Sequence, residues 1–392
     1  MIPAVMPTYD RRDIAFERGE GAYLFASDGR RYLDFCSGIA VTALGHAHPH
    51  LVATLKGQAE KLWHVSNLFR IPEGERLAQR LVDNSFADTV FFCNSGAEAM
   101  EGGIKLVRKY HDTTGNPHRF RIITCTQAFH GRTLTTLAAA GNEKYRKGFE
   151  PAMPGFDQVP FGNLNVLRDT ITDETAAILV EPVQGEGGVR AADIEYLRGL
   201  RAVCDEFGLL LFFDEVQSGM GRTGKLFAHE WAGIKPDVAA TANGLGGGFP
   251  VGALLATEKA AVGMTFGTHG STFGGNPMAM AVANAVLDVL LAPGFLERVQ
   301  EMAALLHRRL ATLVATHPKI FAEVRGRGLL AGLRCEIDNG KVINALFRHG
   351  LVVVGAADNV IRLLPPLIVD ENQIEEAIGK LDAAARELVG DA

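Results

Sequence analysis

An aspartate at the end of a long apolar run is the first residue whose surroundings suggest chemistry. Asp214 directly follows residues 209–213, which read Leu-Leu-Leu-Phe-Phe. Burying a carboxylate there is unfavourable unless a cation meets it. One interpretation is a helix N-cap. The interpretation that we favour is an aspartate that pairs with the protonated ring nitrogen of a heteroaromatic cofactor.

Two turns rich in hydroxyl groups and glycine have the composition of phosphate sites. The first contains Asn94, Ser95, Gly96 and Ala97 and precedes a predicted helix, whose free N–H groups and dipole would attract an anion. The second is residues 271–277, Ser-Thr-Phe-Gly-Gly-Asn-Pro. The first turn could simply be an N-cap formed by Ser95 or Asn94, and each signal is weak alone.

Further side chains that could bind a flat, anionic ligand follow other apolar runs. Phe129 could stack on a ring and Arg132 could grip a carboxylate, although a core phenylalanine beside a surface arginine would look the same. Glu186 lies in a glycine-rich loop after residues 177–180. Arg362 is a lone cation in an apolar run and needs an anionic partner.

The elements that must position these residues alternate between short apolar runs and amphipathic segments. Helical spacing is found over residues 97–110 and 194–207. This alternation predicts a doubly wound α/β domain with a mostly parallel sheet and ligands at the carboxyl ends of its strands. The predicted buried strands are residues 90–93, 122–125, 177–180, 209–213, 238–241 and 251–256.

The pattern changes after residue 293 to a smaller α+β unit. Its predicted helices are residues 295–316, 341–349 and 371–388, and its predicted strands are 328–335, 351–354 and 360–364. Residues 1–60 contain further short strands and are expected to pack with this unit. The predicted division is therefore 1–60, 61–293 for the large domain, and 294–392 for the small one.

Composition excludes several classes of protein. The 392 residues are 47% hydrophobic and 21% charged, as in ordinary globular proteins, and the net charge of −6 argues against a nucleic-acid partner. Five scattered cysteines, no secretory signal and no run long enough to cross a bilayer predict a cytoplasmic protein that does not bind membranes. The alternating histidines at 46, 48 and 50 lack further ligands, so no metal is expected.

Taken together, these motifs resemble the class III pyridoxal-phosphate-dependent aminotransferases of fold type I, and among them most closely the acetylornithine aminotransferases. The resemblance extends over nearly the whole chain, from Met6-Pro7-Thr8-Tyr9 to Arg362-Leu363-Leu364-Pro365-Pro366. It implies a large domain with a mostly parallel mixed sheet, a smaller α+β domain, and pyridoxal 5'-phosphate as the cofactor. Succinylornithine, ornithine and 4-aminobutyrate aminotransferases are close alternatives.

The resemblance also implies roles for individual residues. Asp214 would pair with the ring nitrogen, Phe129 would stack on the ring, and Gln217 would lie near the phenolic oxygen. Arg132, Ser271, Glu186 and Arg362 would serve the substrate. The remaining cofactor contacts would come from Ser95, Gly96, Ala97 and Val216, together with Thr272 supplied by the partner subunit of a homodimer.

One position departs from the family. Asn243 stands 29 residues after Asp214, where the family has the lysine that forms the Schiff base. An amide is not a basic amine, so it can neither form that bond nor relay the proton, and catalysis is expected to be impaired. Either an engineered Lys→Asn change or a natural non-catalytic protein would explain it. We favour the former because the other cofactor positions are retained.

The activity implied by the resemblance transfers the terminal amine of N2-acetyl-L-ornithine to 2-oxoglutarate, a step of arginine biosynthesis. Glutamate would use Arg362 for its α-carboxylate and Arg132 for its distal one. Acetylornithine would use only Arg132, and Glu186 would then neutralise Arg362.

Overall fold

The computed structural model describes residues 2–390. Its largest element is a seven-stranded sheet of order β4-β12-β11-β10-β7-β5-β6. The bounds of the strands are β1 Phe16–Glu20, β2 Tyr23–Ala26, β3 Arg31–Asp34, β4 Thr89–Cys93, β5 Arg121–Cys125, β6 Phe156–Val159, β7 Thr175–Val180, β8 Val183–Gln184, β9 Arg190–Ala191, β10 Leu210–Asp214, β11 Val238–Thr241, β12 Gly252–Ala256, β13 Phe321–Arg327, β14 Leu330–Cys335, β15 Leu351–Val352, β16 Val354–Ala356 and β17 Val360–Leu363.

Helices cover the sheet and form much of the remaining structure. They span Pro49–Ala59, Pro72–Asp83, Gly96–Thr113, Leu134–Ala139, Glu143–Arg146, Leu164–Thr170, Ile194–Phe207, Glu258–Ala261, Pro277–Leu290, Phe295–Thr316, Asn339–Arg348 and Glu371–Gly390. Short 3-10 turns occupy Ala228–Ala232 and Asn243–Gly246. A single turn at Ser37–Ala40 has an unusual backbone that is described with the site.

The large sheet confirms the predicted fold class, with one strand in an unexpected direction. The pairings of β10 with β7 and β11, and of β5 with β6 and β7, are all parallel. However, β12 is antiparallel to both β11 and β4. The sequence could not show this, because a strand buried on both faces has the same apolar composition in either direction.

Two four-stranded sheets and the two-stranded sheet β8-β9 complete the fold. One has the order β13-β14-β17-β16, and in it the unpredicted strand β13 pairs with β14. The other has the order β1-β2-β3-β15, so the N-terminal segment and the C-terminal part of the chain share a sheet. Residues 351–354, predicted as one strand, divide between these sheets as β15 and β16. The predicted division into three parts stays a prediction.

Within residues 2–390, no single helix is both long and apolar enough to cross a bilayer. Pro277–Leu290 and Phe295–Thr316 reach that threshold only when they are combined, and they meet at a 71° bend. The same residues contain no group of three or more histidine, cysteine or acidic side chains suited to a metal ion. Two of the alternating histidines contact carboxylates. Nε2 of His46 lies 2.7 Å from Oδ2 of Asp34, and Nε2 of His50 lies 2.9 Å from Oδ2 of Asp288.

Candidate active site

A cavity of about 390 Å³ lies at the carboxyl ends of the strands of the large sheet. This is where parallel α/β sheets bind their ligands, and the volume is within the usual range for small-molecule sites. The residues that line it come from six separate segments: Gly38, Ile39 and Val41; Gly96 and Ala97; Phe129 to Arg132; Glu181, Val183 and Glu186; Asp214 and Val216 to Ser218; and Asn243.

Asp214 ends β10 at the floor of this cavity and is paired with a histidine. Its Oδ2 lies 2.8 Å from Nδ1 of His130, and its Oδ1 accepts a hydrogen bond from the amide of Val216 at 3.0 Å. Both side chains are buried, and Nε2 of His130 has no partner among the described residues. The aspartate is therefore oriented by two donors while it remains on the cavity surface.

The start of helix Gly96–Thr113 forms another wall. Gly96 is required by close packing, because a Cβ there would lie 2.6 Å from Cγ1 of Val216. The amides of the first helical turn have no intrahelical acceptors, so they are available to an anion. Ser95 itself does not line the cavity; its Oγ caps the helix by accepting from the amide of Glu98 at 3.3 Å.

An aromatic and cationic group forms the side of the cavity next to β5. The ring of Phe129 packs edge-on against Tyr145, with centroids 6.0 Å apart. The guanidinium of Arg132 lies over the Tyr145 ring at 4.0 Å from its centroid. Stacking on an aromatic face holds the arginine in place while its N–H groups stay free to bind a carboxylate.

Glu181 is a buried acid on the cavity wall directly after β7. Its Oε2 accepts a hydrogen bond from the amide of Phe129 at 3.1 Å. Burial, reinforced by the neighbouring charge of Asp214, raises the pKa of the Glu181 carboxyl well above its ordinary value. The carboxyl is therefore held in its neutral form over a wider pH range than a surface glutamate.

Arg362 lies behind the cavity wall in β17 and reaches Glu186. Its Nη1 is 2.7 Å from Oε1 of Glu186 and 3.3 Å from Oε1 of Gln217, and its Nη2 donates to the carbonyl of Gly355. The predicted pairing of Arg362 with Glu186 is thus present in the fold. Arg362 is almost fully buried, so if the Glu186 carboxylate moved away, another anion would have to take its place beside the guanidinium.

Asn243 faces a turn with a left-handed backbone. Every residue of Ser37–Ala40 has a positive φ, between 49° and 66°, which is unfavourable by about 1–2 kcal/mol for each residue other than glycine. Asp34 supports the turn by accepting from the amides of Cys36 and Ser37, each at 2.9 Å. Nδ2 of Asn243 donates to the carbonyl of Ile39 at 3.0 Å.

Ser271 and Thr272 are not part of the cavity within one chain. Oγ of Ser271 accepts from the amide of Gly274 at 2.9 Å and lies 3.3 Å from Nδ2 of Asn94, whereas Thr272 is exposed. Several cavity residues were given no role from the sequence, and His130, Glu181 and Ile39 are among them. His130 stands between Phe129 and Arg132, and Glu181 directly follows the predicted strand 177–180, whereas no role was inferred for the segment that contains Ile39.

Comparisons with known proteins agree with this geometry. Residues 5–385 match the family model described as aminotransferase class III. The chain belongs to the class III aminotransferases. It is 59% identical to acetylornithine aminotransferase 1 of Bradyrhizobium diazoefficiens over 97% of this chain and 94% of that one, and 59% identical to the acetylornithine aminotransferase of Brucella melitensis, with the same shares.

Solved structures of aminotransferases have the same fold. The N-acetylornithine aminotransferase of Stenotrophomonas maltophilia superimposes with a TM-score of 0.86 at 38% identity, covering 98% of each chain. The ornithine aminotransferase of Toxoplasma gondii gives a TM-score of 0.95 at 29% identity, covering 99% of this chain and 94% of that one. The predicted fold and the dependence of the family on pyridoxal phosphate are confirmed.

The cavity of this class III aminotransferase fits that cofactor. Asp214 offers a buried carboxylate to a protonated ring nitrogen, and Phe129 offers an aromatic face to the ring. The glycine cradle at Gly96 leaves helix amides open to a phosphate. The roles of the individual residues stay predictions.

Proposed function

We propose that the chain is an acetylornithine aminotransferase in architecture and in substrate recognition, with catalysis impaired at position 243. The observation that carries the substrate assignment is the identity of 59% over 97% of the chain to proteins of that name. When bound, pyridoxal phosphate would supply an electron sink for the carbon that bears the substrate amine. It would be held by Asp214, Phe129 and the first turn of helix Gly96–Thr113.

Arg132 would orient the amino donor. Acetylornithine would place its α-carboxylate on this guanidinium, which is already held over Tyr145, and point its far amine into the cavity. Glutamate needs a second cation for its second carboxylate. Arg362 would provide it once Glu186 moves away, and the observed contact of 2.7 Å between these two residues supports that exchange.

Asn243 would allow binding but not turnover. Its amide has no basic nitrogen, so it can neither attach the cofactor covalently nor take a proton from the substrate carbon and return it. Among the described residues that line the cavity there is no lysine. The cofactor would therefore be held only by non-covalent contacts and would dissociate on dialysis.

A homodimer would complete the site. Thr272 is exposed on the single chain and is followed by the exposed ring of Phe273. In the dimer, Thr272 of the partner subunit would reach the phosphate. Sedimentation of the cofactor-bound protein as a monomer would contradict this part of the proposal.

The decisive experiment compares this chain with Asn243→Lys in the presence of acetylornithine, 2-oxoglutarate and pyridoxal phosphate. We expect the lysine variant to raise kcat by at least roughly the 10²–10⁴-fold that a positioned acid–base group contributes. Borohydride should fix cofactor to the lysine variant and not to the unaltered chain. Equal kcat values would show that the reactive position has been misplaced, and an inactive lysine variant that binds cofactor would refute the assigned activity.

The amino donor is tested with the same lysine variant. Succinylornithine, ornithine and 4-aminobutyrate serve as competing donors, and acetylornithine should have the highest kcat/KM. A higher kcat/KM for another donor would show that the chain is instead an aminotransferase for that donor.

A second candidate is a protein that binds pyridoxal phosphate without catalysis. It is favoured by one observation, namely that Asn243 is accommodated by a hydrogen bond to Ile39 rather than left unpartnered. A lysine variant that folds and binds cofactor but stays inactive with every donor would support it.

A further inference from the structure

We infer that Tyr145, a residue outside the cavity lining, determines how strongly the site prefers amino donors that carry a carboxylate. It is a positioning residue, because it holds the guanidinium of Arg132 in place for that carboxylate. The inference rests on the proposed function, since it takes Arg132 as the group that binds the donor's carboxylate. It goes further by placing the preference in the short helix Glu143–Arg146, which was given no role from the sequence.

The cationic group of Arg132 has aromatic partners only. Within residues 2–390 it forms no ion pair and no hydrogen bond, and it lies 4.0 Å from the ring centroid of Tyr145 and 5.6 Å from that of Phe129. Arg132 is exposed, and an arginine side chain loses much rotamer freedom when a ligand fixes it. Because Tyr145 makes the closer contact, it contributes most to fixing the guanidinium before a ligand binds.

A guanidinium held in this way favours a carboxylate over an uncharged group. None of the N–H groups of Arg132 has an acceptor within the described chain, so all of them remain for a ligand. A carboxylate can accept two of them in parallel, which gives the strongest pairing that an arginine makes. If the guanidinium were mobile, the donor itself would have to order it, and part of this affinity would be lost.

Tyr145 is itself held in place from two directions. Its ring meets the ring of Phe129 edge-on, with an angle of 86° between the planes and 6.0 Å between the centroids. The chain enters the helix Glu143–Arg146 through Gly141, whose φ is +63°. A Cβ at Gly141 would lie 2.9 Å from Cδ of Gln158, a residue of the large sheet. The segment that carries Tyr145 is thus packed closely against the sheet.

The test compares two ligands that differ only in the carboxylate. One is the borohydride-reduced adduct of pyridoxal phosphate with acetylornithine. The other is the same adduct of N-acetyl-1,4-diaminobutane, which is acetylornithine without its carboxylate. Neither requires turnover, so both can be titrated by calorimetry into the unaltered, cofactor-free chain. We expect the adduct with the carboxylate to bind at least about tenfold more tightly.

The ratio of the two dissociation constants then reports on Tyr145. Tyr145→Leu should reduce this ratio by at least about threefold, whereas Tyr145→Phe, which retains the aromatic face, should keep it. Arg132→Leu should bring the ratio close to one. If thermal melting shows that Tyr145→Leu does not fold, Tyr145→Met takes its place. A ratio that survives the loss of the ring, even where both affinities fall, would overturn the inference, and so would a ratio lost in Tyr145→Phe.

A matched control is Tyr23→Leu. Tyr23 is also half-buried and has the guanidinium of Arg31 4.5 Å from its ring centroid, but it does not line the cavity. This control should keep the full ratio. If Arg132→Leu abolishes the ratio and Tyr145→Leu does not, only this inference fails. Equal affinities of the two adducts for the unaltered chain, or no binding of either, would instead refute the proposed function and, with it, this inference.

Discussion

Two buried pairs of a carboxylate and a histidine lie on opposite sides of the end of β10. Asp214 and His130 are 2.8 Å apart and border the cavity. Glu215, the next residue, lies 3.0 Å from Nδ1 of His229, and it also accepts from Oγ of Ser218 and from the amides of Ala228 and His229. One pair leaves a face open to a ligand, and the other is closed on itself.

The difference shows that adjacent acids in a motif can have unrelated purposes. Three of the four contacts to Glu215, those from Ala228 and His229, hold the 3-10 turn Ala228–Ala232 against the strand end. The ring of His229 is stacked near Phe213 and Phe227. We therefore expect Glu215 to serve the stability of the fold and Asp214 to serve the ligand. Substitution of Glu215 should therefore lower stability, and substitution of Asp214 should lower cofactor affinity.

The largest effect is expected for Glu215→Ala. It would leave His229 and two main-chain amides buried without their acceptor, which should lower the free energy of unfolding by about 3–5 kcal/mol. Denaturant unfolding of the cofactor-free protein measures this. The affinity of the folded fraction for cofactor should stay close to that of the unaltered chain, and a large loss of affinity would place Glu215 in the site.

Asp214→Asn should show the opposite pattern. The amide keeps the shape of the side chain and an acceptor for Val216, but it removes the charge that would meet the ring nitrogen. We expect cofactor binding to weaken by about 1.5–3 kcal/mol, since that bond is charge-assisted. Fluorescence titration measures it. If Asp214→Asn kept its affinity for cofactor and lost stability instead, Asp214 would serve the fold as Glu215 does. That result would contradict the different roles expected for the two acids.

Gln217→Ala should have a smaller effect than Asp214→Asn or Asp214→Ala. Gln217 is expected near the phenolic oxygen, where it makes a less charged hydrogen bond of about 0.5–1.5 kcal/mol. The same titration applies. Because Oε1 of Gln217 also accepts from Arg362, unfolding of the variant should be measured alongside it.

Glu181→Gln should change only the pH dependence of stability. The pKa of Glu181 is raised in the fold, so the unfolded chain loses this proton first and stability falls as the pH rises above about 4.5 towards the raised value. The glutamine variant keeps an acceptor for the amide of Phe129 but has no proton to lose, so its stability should not fall with rising pH in this way. Melting temperatures measured across this range should fall less steeply with pH in the variant, and parallel profiles would contradict the shift.

Much of the site was predictable because its residues stand at strand ends within short motifs. Asp214, Phe129, Gly96 and Asn243 all border the cavity, as expected. His130 could have been included, since it separates two residues that had been assigned roles. Ile39 could not, because the left-handed turn that presents its carbonyl depends on Asp34 and on Leu364, far away in the chain, whose carbonyl accepts from Oγ of Ser37 at 2.6 Å.

The sequence by itself determined the alternation of strands and helices and the family, and it predicted the departure at Asn243, because periodicity and short motifs are local properties of the chain. The tertiary structure alone decided that β12 runs antiparallel, that Glu215 faces away from the cavity, and that the amide of Asn243 is turned towards Ile39. Each of these depends on partners distant in sequence. Burial and hydrogen-bond complementarity select such partners only once the chain has packed.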